Sequence, residues 1–522
     1  MCVCHRDCPC FSASALCTAG GAGYNYGSPA ALSGAKVCAS FDVTRAESVQ
    51  IVPSTLIVMV MMIVMAARGP YSGLLVLFGL TPFGMMAAFN LPAVGGTSIT
   101  GIDLAVLMLS GMILLRAKAP QELARLAAPG GAGILLLAFL GYATLVTLFM
   151  PRIFAGMTEV FGIGRSGNAL GIVIRPLGPS GGNISQLIRM ILSIMAFAAV
   201  AFFAARRPDP QLFLRCIQVA TAVHVTLGIT DILTNAANLE FLLAPLRTAN
   251  YALTLGQKMA GLNRMIGGFP EASSFGYYSL GLLGFWLSYW FESDRKSMMP
   301  GLFLAAAAFV TLRSTSSSAY VGAALLAAVF VASRLQMQQD NGLRPRSVAI
   351  LVSTLALIPV LVASVVILYQ MVPGFSDFID RSLINKLDSD SGEERMEWNL
   401  QALRNFYDTY MVGAGLGAVR ASNWLISALA TTGIPGTLLL IGFLWRVFRL
   451  PVLQLDPETR HLVTALKFGC AGLLCRALVV KASPNLDIFF FAIAGAAVGI
   501  VTASWARGRR PLAVIPKHAV AA

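Results

Sequence analysis

The sequence predicts an all-α fold, a polytopic integral membrane bundle of about 12–13 transmembrane helices with a large outer, periplasmic loop before the last three spans. Three observations predict it. Hydrophobic residues make up 57% of the 522 positions and charged residues only 12%, about half of what a soluble domain carries. Apolar stretches long enough to cross about 30 Å of hydrocarbon recur along the whole chain. Basic residues gather in alternate loops, as the positive-inside rule demands. The excess of 38 Lys and Arg over 24 Asp and Glu, a net +14, is therefore read as membrane topology, and no nucleic acid is expected as a partner.

Residues 1–45 hold six of the nine cysteines, Cys2, Cys4, Cys8, Cys10, Cys17 and Cys38. Their C-x-C spacing is not the C-x2-C of common zinc sites. This segment lacks the long apolar run of a signal peptide and is read as a Cys-rich disordered extension outside the mechanism. The membrane domain follows at 46–506. Its expected spans are 51–67, 70–89, 102–116, 131–150, 186–205, 215–235, 273–291, 299–313, 318–334, 348–371, 422–446, 462–480 and 485–505. The first three are the least regular. Residues 507–522 form a basic tail.

The basic clusters fix one consistent topology. Arg116, Lys118 and Arg125, then Arg206, Arg207 and Arg215, then Arg295 and Lys296, then Arg334, Arg344 and Arg346, then Arg446, Arg449 and Arg460 occupy every second loop. Together with the tail they belong in the cytoplasm. The N-terminus then lies outside if all 13 spans exist and inside if one is lost. The remaining long loops, 151–185, 236–272 and 372–421, face outward, yet they too carry arginines, including Arg152, Arg175, Arg247, Arg264, Arg395, Arg404 and Arg420. Guanidinium groups bind phosphate in a bidentate manner, so the outer mouth suits an anionic, lipid-borne substrate.

Three outer stretches carry the chemistry. In RMIGGFPEASS, 264–274, glycines and a proline break the helix and present Arg264 and Glu271 from one turn. In SGEERMEWNLQALRNF, 391–406, Met396, Leu400 and Leu403 share a helical face, which leaves Arg395 free to point into a cleft. In GAGLGAVRASNWLISALATTGIPGTLLL, 413–440, Gly413, Gly415 and Gly417 allow close backbone approach, Arg420 and Asn423 follow at a span mouth, and Gly433, Pro435 and Gly436 interrupt that span. The glycine-rich run is no dinucleotide fingerprint, since no strand precedes it and a hydrophobic helix follows.

Taken in order, with STSSSAYVG at 314–322 between the first two, these stretches resemble the O-antigen ligase / O-antigen polymerase-like superfamily of bacterial polysaccharide assembly, over roughly residues 130–450. The resemblance implies a multi-pass protein of the bacterial inner membrane whose active face is periplasmic and whose C-terminus is cytoplasmic. It implies a membrane glycosyltransferase that polymerises polyprenyl-pyrophosphate-linked oligosaccharide repeats into exopolysaccharide or O-antigen. The transfer would be inverting and metal-independent, with no cofactor. Arg264 and Arg395 would stabilise the charge that builds on the lipid-pyrophosphate leaving group, and Glu271 would act as base or as orienter of Arg264. Arg175, Arg420, Asn423, Gly415 and Gly417 are expected to bind substrate, with Asn183 and Gln186 as further sugar contacts. Ligases of the family commonly have a His beside the Asn of the last motif; here the residue is Ser422, which favours polymerase over ligase. The alternatives are a ligase handing the glycan to a lipid or protein acceptor, or a lipid-linked oligosaccharide flippase. A chain-length regulator and a flippase of the same pathway are the expected protein partners. Within the spans, His224, Asp103 and Asp231 read as structural polar residues; Arg476 and Lys481, toward the outer end of their span with Asp487 just beyond, read as intramembrane charge that hints at function or as a local pairing group.

Overall fold

The computed structural model describes residues 49–91, 97–116, 118–127, 131–166, 169–250, 258–259, 262–292, 297–341, 367, 369–382 and 390–508, all within one compact unit, Glu47–Ala522. The cysteine-rich extension, most of the expected span 348–371 and the tail beyond 508 lie outside the described residues.

The unit is mostly helical. Its helices are α1 (Pro53–Arg68), α2 (Pro70–Leu80), α3 (Gly101–Leu114), α4 (Ala119–Leu126), α5 (Ala132–Ile153), α6 (Gly181–Arg206), α7 (Pro210–Ala236), α8 (Ala272–Glu292), α9 (Met299–Arg313), α10 (Ser317–Asn341), α11 (Pro373–Ser382), α12 (Asp390–Asp408), α13 (Trp424–Phe448), α14 (Pro457–Val479) and α15 (Asp487–Gly508). Among the described residues seven, α5, α6, α7, α10, α13, α14 and α15, are long and apolar enough to cross a membrane. Helix starts follow local chemistry. Asp209 accepts from Gln211 N at 3.1 Å and Leu212 N at 3.2 Å ahead of Pro210, and Asp456 accepts from Thr459 N at 3.0 Å ahead of Pro457. Asp103 caps α3 from its first turn, accepting from Thr100 N and Oγ1 at 2.8 Å.

The early elements are shorter than expected. The stretch 70–89 is not one span. Helix α2 has 11 residues, roughly 16 Å at the helical rise and about half the hydrocarbon thickness. Thr81 caps its end through Phe78 O at 2.6 Å, and the chain turns at Pro82 into a hairpin of β1 (Ala87–Leu91) and β2 (Thr97–Thr100). Helices α1, α3 and α9 have 16, 14 and 15 residues. Helix α8, 21 residues long, is rich in serine and tyrosine and is buried along most of its length. It lies against α14 so closely that a Cβ on Gly472 would stand 2.3 Å from Leu280 O, the small-residue contact typical of membrane helices.

The long loops are structured. Residues 151–185 contain a hairpin of β3 (Glu159–Ser166) and β4 (Ala169–Pro176), paired from Glu159↔Pro176 to Ser166↔Ala169. Residues 236–272 contain a 3₁₀ turn, Glu240–Leu246, and the two-residue strands β5 (Lys258–Met259) and β6 (Leu262–Asn263). Helix α12 is tied to the first hairpin: Asn405 Nδ2 donates to Glu159 O at 2.7 Å and to Thr158 Oγ1 at 2.9 Å, and Gln401 Nε2 donates to Glu159 O at 2.7 Å.

Helix α13 is broken where the sequence predicts. Gly433 has φ 63° and ψ −170°, a left-handed φ that suits glycine. Pro435 lacks the N–H that would bond Thr431 O, and Ile434 N turns instead to Met411 O at 3.0 Å. The freed carbonyls of Ala430 and Thr431 accept from Ala414 N and Gly415 N, both at 2.9 Å. The loop 411–417 is thus docked into the break. Tyr142 Oη holds Val412 O at 2.9 Å, Thr147 Oγ1 accepts from Leu416 N at 3.0 Å, and Asn183 Nδ2 holds Leu416 O at 2.8 Å. Every one of these backbone groups is satisfied, as burial requires.

Candidate functional site

The ends of α5, α7, α9 and α14 and the starts of α6, α8, α10, α13 and α15 meet at one end of the bundle, by chain order and antiparallel packing. The opposite end carries the surface ion pairs Arg206–Glu122 at 3.5 Å and Arg334–Glu292 at 2.8 Å. The candidate site lies at the first of these ends.

Its foundation is the turn 264–271. Asp231, near the end of α7, accepts from Ile266 N at 2.8 Å and Gly267 N at 3.1 Å. Arg247 pairs with Asp231 and donates to Gly267 O at 2.6 and 3.0 Å. Both side chains are buried, 4% and 6% exposed. On the other side, Arg313 Nη1 holds Asn263 O at 2.8 Å, and Met85 N donates to Gly268 O at 2.9 Å. Asp231, read from sequence as a structural polar residue, buried Arg247 and half-buried Arg313 therefore clamp the backbone that presents Arg264 and Glu271. His224 packs beneath, stacked on Phe275 at 4.2 Å and bonded through Nε2 to Ser279 Oγ of α8 at 2.8 Å; it is structural, as expected.

Glu271 opens α8. Its carboxylate accepts from Ser273 Oγ, and from Ser274 Oγ at 3.3 Å. Phe275 beside it is buried, but Glu271 itself is exposed: the rings of Phe269 and Phe275 turn inward to His224 while the carboxylate stays at the helix end, where the macrodipole favours it.

Helix α12 supplies the second wall. Met396 and Leu400 are more than half exposed, while Trp398, Asn399, Ala402, Asn405 and Phe406 form the packed face. Leu403, expected on the same face as Met396 and Leu400, is half-buried, and half-buried Arg395 sits one turn before Asn399. That asparagine fastens the helix to the next loop, accepting from Ser422 N at 2.8 Å and Asn423 N at 3.1 Å. Arg420 lies over the Trp398 ring, 4.2 Å from its centroid, a cation–π contact.

The arginines converge. Burial pulls Arg264 below its ordinary pKa, Glu271 opposes this, and Arg395 adds to it. Burial does the same to Arg420, opposed by Glu394 and then Glu271. Arg476, in the last turn of α14, feels Glu271, Tyr277, Arg395 and Asp487. Guanidinium groups stay charged at these shifts. Three arginines from three chain segments, Arg264, Arg420 and Arg476, thus feel one exposed carboxylate, and Arg395 adds positive charge at Arg264 and Arg476. Of the residues expected from sequence, Arg264, Arg395, Glu271 and Arg420 lie within electrostatic reach of Arg264 or Glu271. For Arg476 the sequence leaves a functional charge and a local pair both open; the local pair is Lys481 with Asp487. The intramembrane charge was the clue.

The other expected binding residues have structural duties. Asn423 caps α13, accepting from Leu425 N at 2.9 Å and Ile426 N at 3.2 Å, and its Nδ2 donates to Leu478 O. Asn183 is buried and spans Ser180 N and Leu416 O at 2.8 Å each. Gly415 packs on Pro151 and Thr147, and a Cβ on Gly417 would stand 2.3 Å from Gly182 O. Arg175, half-buried on β4, lies across Gly162; among the described residues nothing ties it to Arg395 or Glu271. Gln186 reaches Ser483 Oγ at 3.4 Å. The Ser-rich 314–322 segment packs α9 and α10 on α8, with Ser314 and Ser316 against Gly276. One Asp-x-Asp triplet, 388–390, precedes α12 in the sequence; its first two residues lie outside the described residues. A scan of protein-family models finds no match to the sequence, and a search of curated proteins finds none either.

Proposed function

We propose that the chain is an integral-membrane glycosyltransferase that polymerises polyprenyl-pyrophosphate-linked oligosaccharide repeats into exopolysaccharide or O-antigen. The observation that carries this reading is that Arg264, Arg420 and Arg476 share the field of Glu271 at one end of the bundle, with Arg395 close enough to act on Arg264 and Arg476. In the reaction an acceptor hydroxyl attacks the anomeric carbon, the bond to the pyrophosphate oxygen breaks, and the configuration inverts. Arg264 and Arg395 neutralise the charge arriving on the departing pyrophosphate. Glu271, exposed and within reach of solvent, receives the hydroxyl proton. Trp398 and Asn399 hold the Arg395 helix against the loop that carries Arg420, so both arginines keep their geometry. The arginine-bearing end is assigned to the outer, periplasmic face, and the end with Arg206, Arg334 and Arg446 to the cytoplasm, by the positive-inside rule.

Ser422 supports polymerase over ligase. Its side chain is buried at 4% exposure, its N–H is taken by Asn399 and its carbonyl by Lys481 N, so no base is available at that position. The test uses purified protein in detergent with a defined lipid-pyrophosphate oligosaccharide and a chelator. The expected result is a ladder of longer products that disappears in Arg264→Ala. Transfer of a single unit to a supplied lipid or protein acceptor would mean ligase. Transbilayer movement of the donor in liposomes without any new glycosidic bond would mean transport and refute the proposal.

A further inference from the structure

Arg247 is spent on Asp231 and Gly267 O, and half-buried Arg313 donates to Asn263 O. Enclosed guanidinium nitrogens without a hydrogen-bond partner occur on Arg334, Arg420 and Arg476, but Arg334 has Glu292 at 2.8 Å and Arg420 lies over the Trp398 ring. Arg476 has no ion pair among the described residues. It is 4% exposed, inside a helix long and apolar enough to span the membrane. Its Nη1 donates to Val480 O, and its Cζ lies 5.6 Å from the Tyr277 ring centroid. Its Nε and Nη2 are enclosed and have no hydrogen-bond partner among the described residues. The acid that is near in sequence, Asp487, is taken by Lys481, and one Glu271 oxygen is taken by Ser273 and Ser274. An enclosed guanidinium with two unmet nitrogens is expensive in a lipid environment. A residue serving the fold alone would be paired as Arg247 is. The end of its helix is bonded to the loop that carries Arg420, with Asn423 Nδ2 donating to Leu478 O and Lys481 N to Ser422 O at 2.6 Å, so it adjoins the site rather than a remote packing gap.

We propose that Arg476 is a further substrate-binding arginine that takes the phosphate esterified to the lipid, while Arg264 and Arg395 take the phosphate next to the sugar. This rests on the lipid-pyrophosphate reading above. Depth decides the division of labour. Arg264 comes from a turn and Arg395 from helix α12, which is not among the long apolar helices, whereas Arg476 belongs to a helix long and apolar enough to cross the bilayer in which the polyprenyl chain must lie. The sugar-side phosphate carries the leaving oxygen, so its arginines act in the transition state. The lipid-side phosphate keeps all its bonds, so Arg476 contributes equally to ground and transition states.

The experiment measures Kd for farnesyl pyrophosphate and farnesyl monophosphate on the full chain in detergent, with melting temperature alongside. Wild type is expected to bind both. Arg476→Met should weaken both ligands by about ten- to a hundred-fold, the worth of a charged hydrogen-bonded contact, and should melt at or above the wild-type temperature, because an unsatisfied buried charge is removed. Arg264→Ala should weaken the pyrophosphate and leave the monophosphate unchanged. With the oligosaccharide donor, Arg476→Met should raise KM at constant kcat, and Arg264→Ala should lower kcat. Wild type that binds neither ligand refutes the lipid-pyrophosphate reading itself. Wild type that binds while Arg476→Met binds equally well, or melts earlier, overturns the assignment of Arg476 and leaves that reading standing.

Discussion

The clamp beneath the 264–271 turn gives the sharpest prediction. Asp231 accepts two backbone N–H groups of the turn and pairs with Arg247, and both side chains are at least nine-tenths buried. Replacing Asp231 by Ala leaves Arg247 buried without its counter-charge and orphans Ile266 N and Gly267 N. Removing one partner of a buried pair costs about 3–5 kcal/mol, and each orphaned donor about 1–3 kcal/mol, less whatever relaxation recovers. Arg247→Met leaves a buried carboxylate that still has two donors, so it falls at the lower end of the pair cost, near 3 kcal/mol. In the double variant the uncompensated charge is gone. Its loss should therefore fall short of the sum of the singles by about 2–3 kcal/mol. Activity should not return with stability: a displacement of the Arg264 backbone by an ångström costs about a hundred-fold in rate. The assay is thermal melting in detergent with product formation on the same preparations. Additive single and double variants, or a double variant with wild-type kcat, would refute the positioning role.

Three further outcomes follow from the geometry. Gly417→Ala brings a Cβ to 2.3 Å from Gly182 O at φ 73°; with backbone on both sides nothing can yield, and the variant should lose folded yield on size exclusion, whereas Gly111→Ala, with open space around it, should be neutral or gain up to about 1 kcal/mol. Asn423→Ala should lose about 1 kcal/mol as a lost N-cap, plus the bond to Leu478 O, and Asn423→Asp should recover the cap; if the cap is its main duty, farnesyl pyrophosphate affinity stays within two-fold, roughly the scatter of a surface change. Trp398→Ala removes the ring 4.2 Å from Arg420 and should cost about 1 kcal/mol of donor binding, with Trp398→Phe intermediate, measured by titration.

Much of the fold was readable because long apolar helices announce themselves by hydropathy; their starts were not, since the helices capped by Asp209 and Asp456 begin at Pro210 and Pro457, ahead of the expected spans 215–235 and 462–480. The break at Gly433 and Pro435 was readable from those residues themselves. The segment 70–89 misled because a buried hairpin such as Ala87–Leu91 is as apolar as a helix, and hydropathy does not tell the two apart. The turn at 264–271 stood out through its glycines, proline and paired charges. What holds that turn did not: Asp231 and Arg247 are 16 positions apart and become partners only through folding. Asn399 is legible as a polar residue on a helix, but its grip on Ser422 and Asn423 is tertiary. Arg476 was visible as a charge in a span; that Lys481 rather than Arg476 would win Asp487 was not.

The exchange of hydrogen bonds at the break in α13 bears on biogenesis. Met411 O waits for Ile434 N, and Ala414 N and Gly415 N wait for the carbonyls of Ala430 and Thr431. On the ribosome those partners emerge later than the loop. The loop can settle only when the following helix has formed and has opened at Gly433. Arg395 and Arg420 flank that loop, so a nascent chain stopped before residue 436 carries both proposed site arginines yet has no finished seat for them. The arrangement makes competence a late event in synthesis, reached after the helix that completes the loop is already in the bilayer.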